Sequence, residues 1–110
     1  MNIKVTARHF KAHESLIEYA TKTVEELERF YDGIVKAEVI LFYEKPRDSE
    51  KVAEVNVSVY NAVLSGEGRA EEFPKAIDIA VEKVLVQLKK YKERLHEKDR
   101  KEVLKVRSKS

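Results

Sequence analysis

Cysteine is absent from the 110 residues, so the chain carries neither a disulfide framework nor thiolate chemistry, and a reducing compartment suits it. It also lacks any run of about 18 apolar residues that could span a bilayer. Met1-Asn2-Ile3-Lys4 does not begin a signal peptide. The expectation is a cytoplasmic protein with no membrane partner. Catalytic and metal-binding patterns are equally thin. His9 and His13 have H-x3-H spacing, but the pair straddles a strand end and a helix start, with no cysteine or third histidine near it. Gly66-Glu67-Gly68 lacks the third glycine and the following Lys-Ser/Thr of a phosphate loop. Neighbouring carboxylates such as Glu25-Glu26, Glu71-Glu72 and Asp78 with Glu82 read as solvated surface charge rather than as an acid–base pair. A non-enzymatic protein with no metal, cofactor or small-molecule substrate is expected.

What the chain does have is charge, unevenly placed. Its net charge of +2 conceals 10 Lys/Arg against 14 Asp/Glu in residues 1–72 and 12 against 6 in residues 73–110. A basic C-terminal third on an otherwise acidic domain points to a localised polyanion-binding face. With 43% hydrophobic residues in 110, there is material for one core and one domain, placed at residues 1–98. Residues 99–110, DRKEVLKVRSKS, have only Val103, Leu104 and Val106 to bury and are expected to form a disordered basic tail.

The longest periodic segment begins at Phe73-Pro74, where proline suits a first helical turn. Ile77, Ala80, Val84, Leu88, Tyr91 and Leu95 fall on one arc, with Val81 and Leu85 at its edge. A helix from Pro74 to about Glu97 would be roughly 36 Å long and would overhang strands of about 25 Å. Away from the apolar arc, Lys83, Lys90 and Arg94 align, with Lys75 and Lys89 beside them. Lys89, Lys90, Lys92, Arg94 and Lys98 lie on the overhanging turns.

The rest of the chain supplies the sheet and a second helix. Asn2 to Arg8 alternates as a half-buried strand. Glu14 to Phe30 has helical spacing through Leu16, Ala20, Val24 and Leu27, and Asp32-Gly33 ends it. Its outer face is mainly acidic, so only Lys22 and Arg29 there could touch a polyanion. Ile34–Glu44, Val52–Tyr60 and Val63–Ala70 read as strands, joined by a polar loop across Glu44–Glu50 and a tight turn at Asn61-Ala62. The order β-α-β-β-β-α predicts an α+β two-layer sandwich, a four-stranded mixed sheet with both helices on one face. Clustered positive charge on an overhanging helix, the basic tail, and Tyr91 and His96 nearby favour RNA as the partner. Tyr91 itself reads more readily as core.

Val5-Thr6-Ala7-Arg8-His9-Phe10, Ala76-Ile77-Asp78, Lys83, Gln87-Leu88 and Tyr91-Lys92 together resemble the ribosome hibernation promoting factor and ribosome-associated inhibitor family over about residues 1–95. The resemblance implies a stress-response translation inhibitor that occupies the mRNA channel and tRNA sites of the small ribosomal subunit. Such a protein stabilises idle ribosomes and is monomeric away from them. By position it implies rRNA contacts from Arg8, Lys22, Arg29, Lys75, Lys83, Lys89, Lys90, Lys92 and Arg94. Glu72, Pro74, Leu85 and Val86 depart from the family pattern, and the length resembles that of its short forms. A general structured-RNA-binding domain and a module recognising an acidic protein are the alternatives.

Overall fold

A computed structural model describes the backbone of residues 1–44 and 50–109, with side chains in the last helix as far as Leu95. Of the expected loop from Glu44 to Glu50, residues 45–49 lie outside the described residues, while Glu44 and Glu50 belong to the strands on either side. In chain order the elements are β1 (Asn2–Ala7), α1 (Glu14–Glu25) continued by a 3-10 turn (Glu26–Arg29), β2 (Lys36–Glu44), β3 (Glu50–Val59), β4 (Ala62–Ala70) and α2 (Phe73–Lys109). The sheet order is β1-β2-β3-β4, parallel between β1 and β2 and antiparallel elsewhere. This is the α+β sandwich that the element order predicts.

Each element ends for a local reason. His13 caps α1, its Nδ1 accepting from the Ser15 amide at 3.4 Å, which assigns that ring to helix capping. The last turn of α1 tightens to 3-10 geometry before the chain leaves for β2. The β3–β4 connection is Tyr60-Asn61, one residue earlier than the sequence spacing places it, because Asn61 takes the positive φ of 62° that a two-residue hairpin needs. The backbone of α2 is helical to Lys109, through the segment where a disordered tail is expected from Asp99.

Period-two alternation sends Ala37, Val39, Leu41, Ala53, Val55, Val57 and Leu64 to the helix side, where all are buried. Ala20 and Val24 of α1, Leu27 of the 3-10 turn, and Phe73, Ala76, Ile77, Ala80, Val84 and Leu88 of α2 close over them. Glycine sets how near α2 can lie. A Cβ on Gly66 would come within 2.5 Å of the Ala80 carbonyl oxygen, and one on Gly68 would run into the Ala76 carbonyl. The Gly-x-Gly pair is therefore a seat for the helix. The alternation is not a perfect guide, since Ile40 and Val52, on the helix-free face, are buried as well.

Because β1 and β2 are parallel and two hairpins follow, α1 and α2 run parallel. Tyr19 meets Asp78 near their starts, and Tyr31 meets Tyr91 near the end of the sheet. The Tyr91 hydroxyl donates to the Tyr60 carbonyl at the β3–β4 turn, 2.7 Å away. That contact marks where the sheet stops beneath α2, so Lys92 and Arg94 lie past it.

Candidate nucleic-acid interface

All the basic side chains singled out by the resemblance are exposed. Among the described residues, none of them lies within salt-bridge distance of a carboxylate. Glu28 is engaged by the Met1 ammonium group at 3.3 Å, and Glu44 and Glu67 are both engaged by Arg69. The Glu82 and Glu93 side chains, near enough in sequence to neutralise the stripe, do not pair with it. Among the described residues, no carboxylate neutralises this positive charge.

The stripe nevertheless divides. The Lys83 ammonium donates to the Glu67 carbonyl at 2.7 Å, and the Gln87 amide to the Ser65 carbonyl at 2.5 Å. Both therefore lean over β4, and Lys90 and Arg94, seven and eleven residues after Lys83, continue that flank. Lys89 leans the other way, its Nζ 5.5 Å from the centre of the Phe30 ring on the α1 side. Lys75, Glu82 and Lys89 recur at intervals of seven on this second flank, and Lys92 follows one turn on. Val86 and Glu93 are exposed between the flanks, and Ile79 packs on the β4 side against Gly68. Lys22 and Arg29 stand on the outer surface of α1 and its 3-10 turn, beside an open depression that Met1, Ile3 and Glu25 also line.

Arg8 is set apart. Its guanidinium lies 5.6 Å over the Phe42 ring on the helix-free face, with the sheet between it and every other candidate. Alternation along β1 puts Arg8 on the side of Lys4 and Thr6, as the sequence pattern requires.

Two tyrosine hydroxyls tie the helices in place. Tyr19 donates to Asp78 Oδ1 at 2.6 Å, and this bond, with burial and the carboxylate charge adding to it, raises the phenol above its ordinary pKa. Burial, followed by the Tyr31 hydroxyl, raises Tyr91. Tyr91 is half-buried against the core and is not a free stacking group. His96 lies outside the described side chains. Among the described residues no three His, Cys, Asp or Glu side chains group as metal ligands, and no helix is long and apolar enough to cross a membrane.

The sequence signals missed the ends of the sandwich. At one end Phe10 and Phe73 stack at 5.1 Å, and Tyr43 meets both edge-on. At the other, Phe30 and Tyr60 are 41% and 74% exposed. Both look like ordinary apolar positions in one dimension. Only the turn geometry, with Asn61 at its tip, hints that Tyr60 faces solvent.

Comparison with known proteins places this geometry among relatives. Residues 3–96 match the model of the family described as Sigma 54 modulation protein / S30EA ribosomal protein. The chain is 27% identical over 100 residues to the ribosome hibernation promotion factor of Bacillus subtilis, covering 91% of this chain and 53% of the relative. It is 24% identical over 95 residues to the ribosome hibernation promoting factor of Klebsiella oxytoca, covering 86% of this chain and 97% of that one. It thus spans about half the length of the first relative and nearly all of the second. Among solved structures, the N-terminal domain of Thermus thermophilus Protein Y superposes with a TM-score of 0.73 at 27% identity, covering 83% of this chain and 99% of that domain. A ribosomal subunit interface protein from Coxiella burnetii shares the fold, with a TM-score of 0.77 at 22% identity, covering 84% of this chain and 99% of that one.

Proposed function

The chain belongs to the Sigma 54 modulation protein / S30EA ribosomal protein family, and from that premise we propose that it is a ribosome-binding translation inhibitor acting on the small subunit. It would block the mRNA channel and tRNA sites by occupying them, with Lys and Arg contacts to rRNA phosphates and no catalysis. The observation that carries this reading is a set of exposed lysines and arginines along both helices that, among the described residues, no carboxylate neutralises. Phosphate is the ligand for which such a surface is suited, because each contact releases condensed counterions.

The two flanks of α2 give the surface breadth. Lys83, Lys90 and Arg94 would engage one run of phosphates, and Lys75, Lys89 and Lys92, with Lys22 and Arg29 of α1, another. Arg8, on the far side of the sheet, would touch RNA only if the molecule is enclosed on both faces, as a protein lodged between the head and body of the small subunit would be. Residues 99–110, with 5 Lys/Arg against 2 Asp/Glu, would add contacts without sequence preference.

Sedimentation of the purified protein with small subunits, large subunits and naked rRNA tests this. Binding to small subunits is the expected result. Equal binding to naked rRNA would favour a general structured-RNA binder, and failure to bind either would leave an acidic protein as the partner.

A further inference from the structure

The end of the sandwich at the β3–β4 turn carries more than charge. Four aromatic residues gather there. Tyr31 and Tyr91 meet edge to face at 5.7 Å and close the core. On either side of them stand Phe30 and Tyr60, neither of which has an aromatic partner among the described residues. At the opposite end, Phe10, Tyr43 and Phe73 satisfy one another.

Phe30 and Tyr60 are also held in place. Phe30 follows the 3-10 turn, its neighbour Tyr31 is packed on the core, and the Lys89 ammonium lies 5.5 Å from its centroid. Tyr60 sits in a two-residue hairpin, and its carbonyl is pinned by the Tyr91 hydroxyl. Exposing an aromatic ring on a fixed backbone forfeits the burial that such a side chain could contribute. Arg29, Lys89, Lys92 and Arg94 are exposed around this end. Fixed aromatic faces bordered by cations are what unpaired nucleotides stack on, the π-face holding the base and the cations holding its phosphates. A duplex offers no free base face, so the aromatic rings discriminate between the two where the lysines alone do not.

We propose that this end of the molecule is a binding platform for single-stranded RNA, with Phe30 and Tyr60 each stacking one unpaired base. The inference deepens, and rests on, the reading of the chain as an RNA-binding protein of the small subunit. It adds a preference for unpaired nucleotides at a defined end.

The chain has no tryptophan, so Phe30→Trp and Tyr60→Trp each place a single reporter at the site. The full-length variants are titrated with a ten-nucleotide oligouridine and with a blunt RNA duplex of ten base pairs, recording tryptophan emission and its accessibility to acrylamide. Oligouridine should quench and protect both reporters, and the duplex should leave them accessible. Phe30→Leu and Tyr60→Leu should each weaken oligouridine binding roughly tenfold, leave duplex affinity unchanged and still melt as folded proteins, while Phe30→Tyr keeps wild-type affinity. If wild-type protein co-sediments with small subunits yet both reporters stay accessible at saturating oligouridine, or both leucine variants bind it as wild type does, the platform is refuted and the ribosome reading stands. If wild-type protein ignores small subunits, that reading falls and the platform falls with it.

Discussion

The Lys83 ammonium group reaches past its own helix to the Glu67 carbonyl on β4, 2.7 Å away. Glu67 pairs with Glu54 at a position where the backbone of β4 faces away from β3, so this carbonyl belongs to the open edge of the sheet. Lys83 therefore has a structural partner as well as a place in the basic surface, and Lys90, one flank position further on, is exposed and has no such bond among the described residues.

Charge reversal separates those roles. Lys83→Glu should lower stability by about 1 kcal/mol, the net worth of one exposed hydrogen bond, in addition to weakening small-subunit binding. Lys90→Glu should weaken binding and leave the melting temperature unchanged. Removing one phosphate-binding cation should also flatten the slope of log affinity against log salt by somewhat under about one unit. Thermal melts and binding titrations at two salt concentrations check all three, and a Lys90→Glu variant that binds as tightly as wild type would show that the stripe is only a solvated face.

Leu88 gives the opposite pattern. It is fully buried beneath α2, and Leu88→Ala should cost about 2–5 kcal/mol through reduced transfer energy and a cavity. Protein that remains folded should bind small subunits with wild-type affinity. Chemical denaturation and sedimentation of the same preparation measure the two quantities.

Gly68→Ala should be destabilising out of proportion to its size. The added methyl group would collide with the Ala76 carbonyl, a backbone atom that can yield only if α2 lifts from β4. A cost of about 1–3 kcal/mol is expected for such overpacking. Gly33→Ala would meet the Tyr31 ring, a side chain rather than backbone, and should cost less. Equal melting temperatures for the two variants would contradict the close helix–sheet seat.

High pH should loosen the helix pair. The Tyr19 phenol is raised chiefly by its bond to Asp78, and the Tyr91 phenol by burial. A raised folded-state pKa means that the stabilisation is fully present below the unfolded value of about 10 and is lost as pH rises through the folded value. Denaturation midpoints followed from about pH 8 to about pH 11 should therefore fall at the alkaline end. Tyr19→Phe, which has no proton to lose there, should make the fall shallower.

Much of this architecture is legible in one dimension because it rests on periodicity. Val55 and Val57, or Ile77, Val84 and Leu88, are recognisable as core from spacing alone, and the element order then leaves few topologies. Boundaries slip by a residue or two where a single conformation decides them, as at Asn61. The division of the basic stripe is legible only in part, since at 100° per residue Lys83 and Lys89 stand about 120° apart but nothing in the spacing says what each overlooks. Only the positions of the β4 carbonyls and of Phe30 send them to opposite flanks. Arg8 is likewise assigned to a strand face by alternation, but that this face is the one without helices depends on the handedness of the crossover. Val52 breaks the pattern, being fully buried although alternation puts it on the helix-free face.

Two helix side chains narrow what one margin of the sheet can offer a partner strand. Gln87 and Lys83 occupy the outward carbonyls of Ser65 and Glu67, while β1, at the far margin, turns alternate backbone groups of Ile3, Val5 and Ala7 away from β2. A sheet with two pairable margins can grow into a ribbon of indefinite length. Gln87 and Lys83 thus leave the β4 margin with fewer unengaged acceptors, and removing both together would make it more open to strand addition.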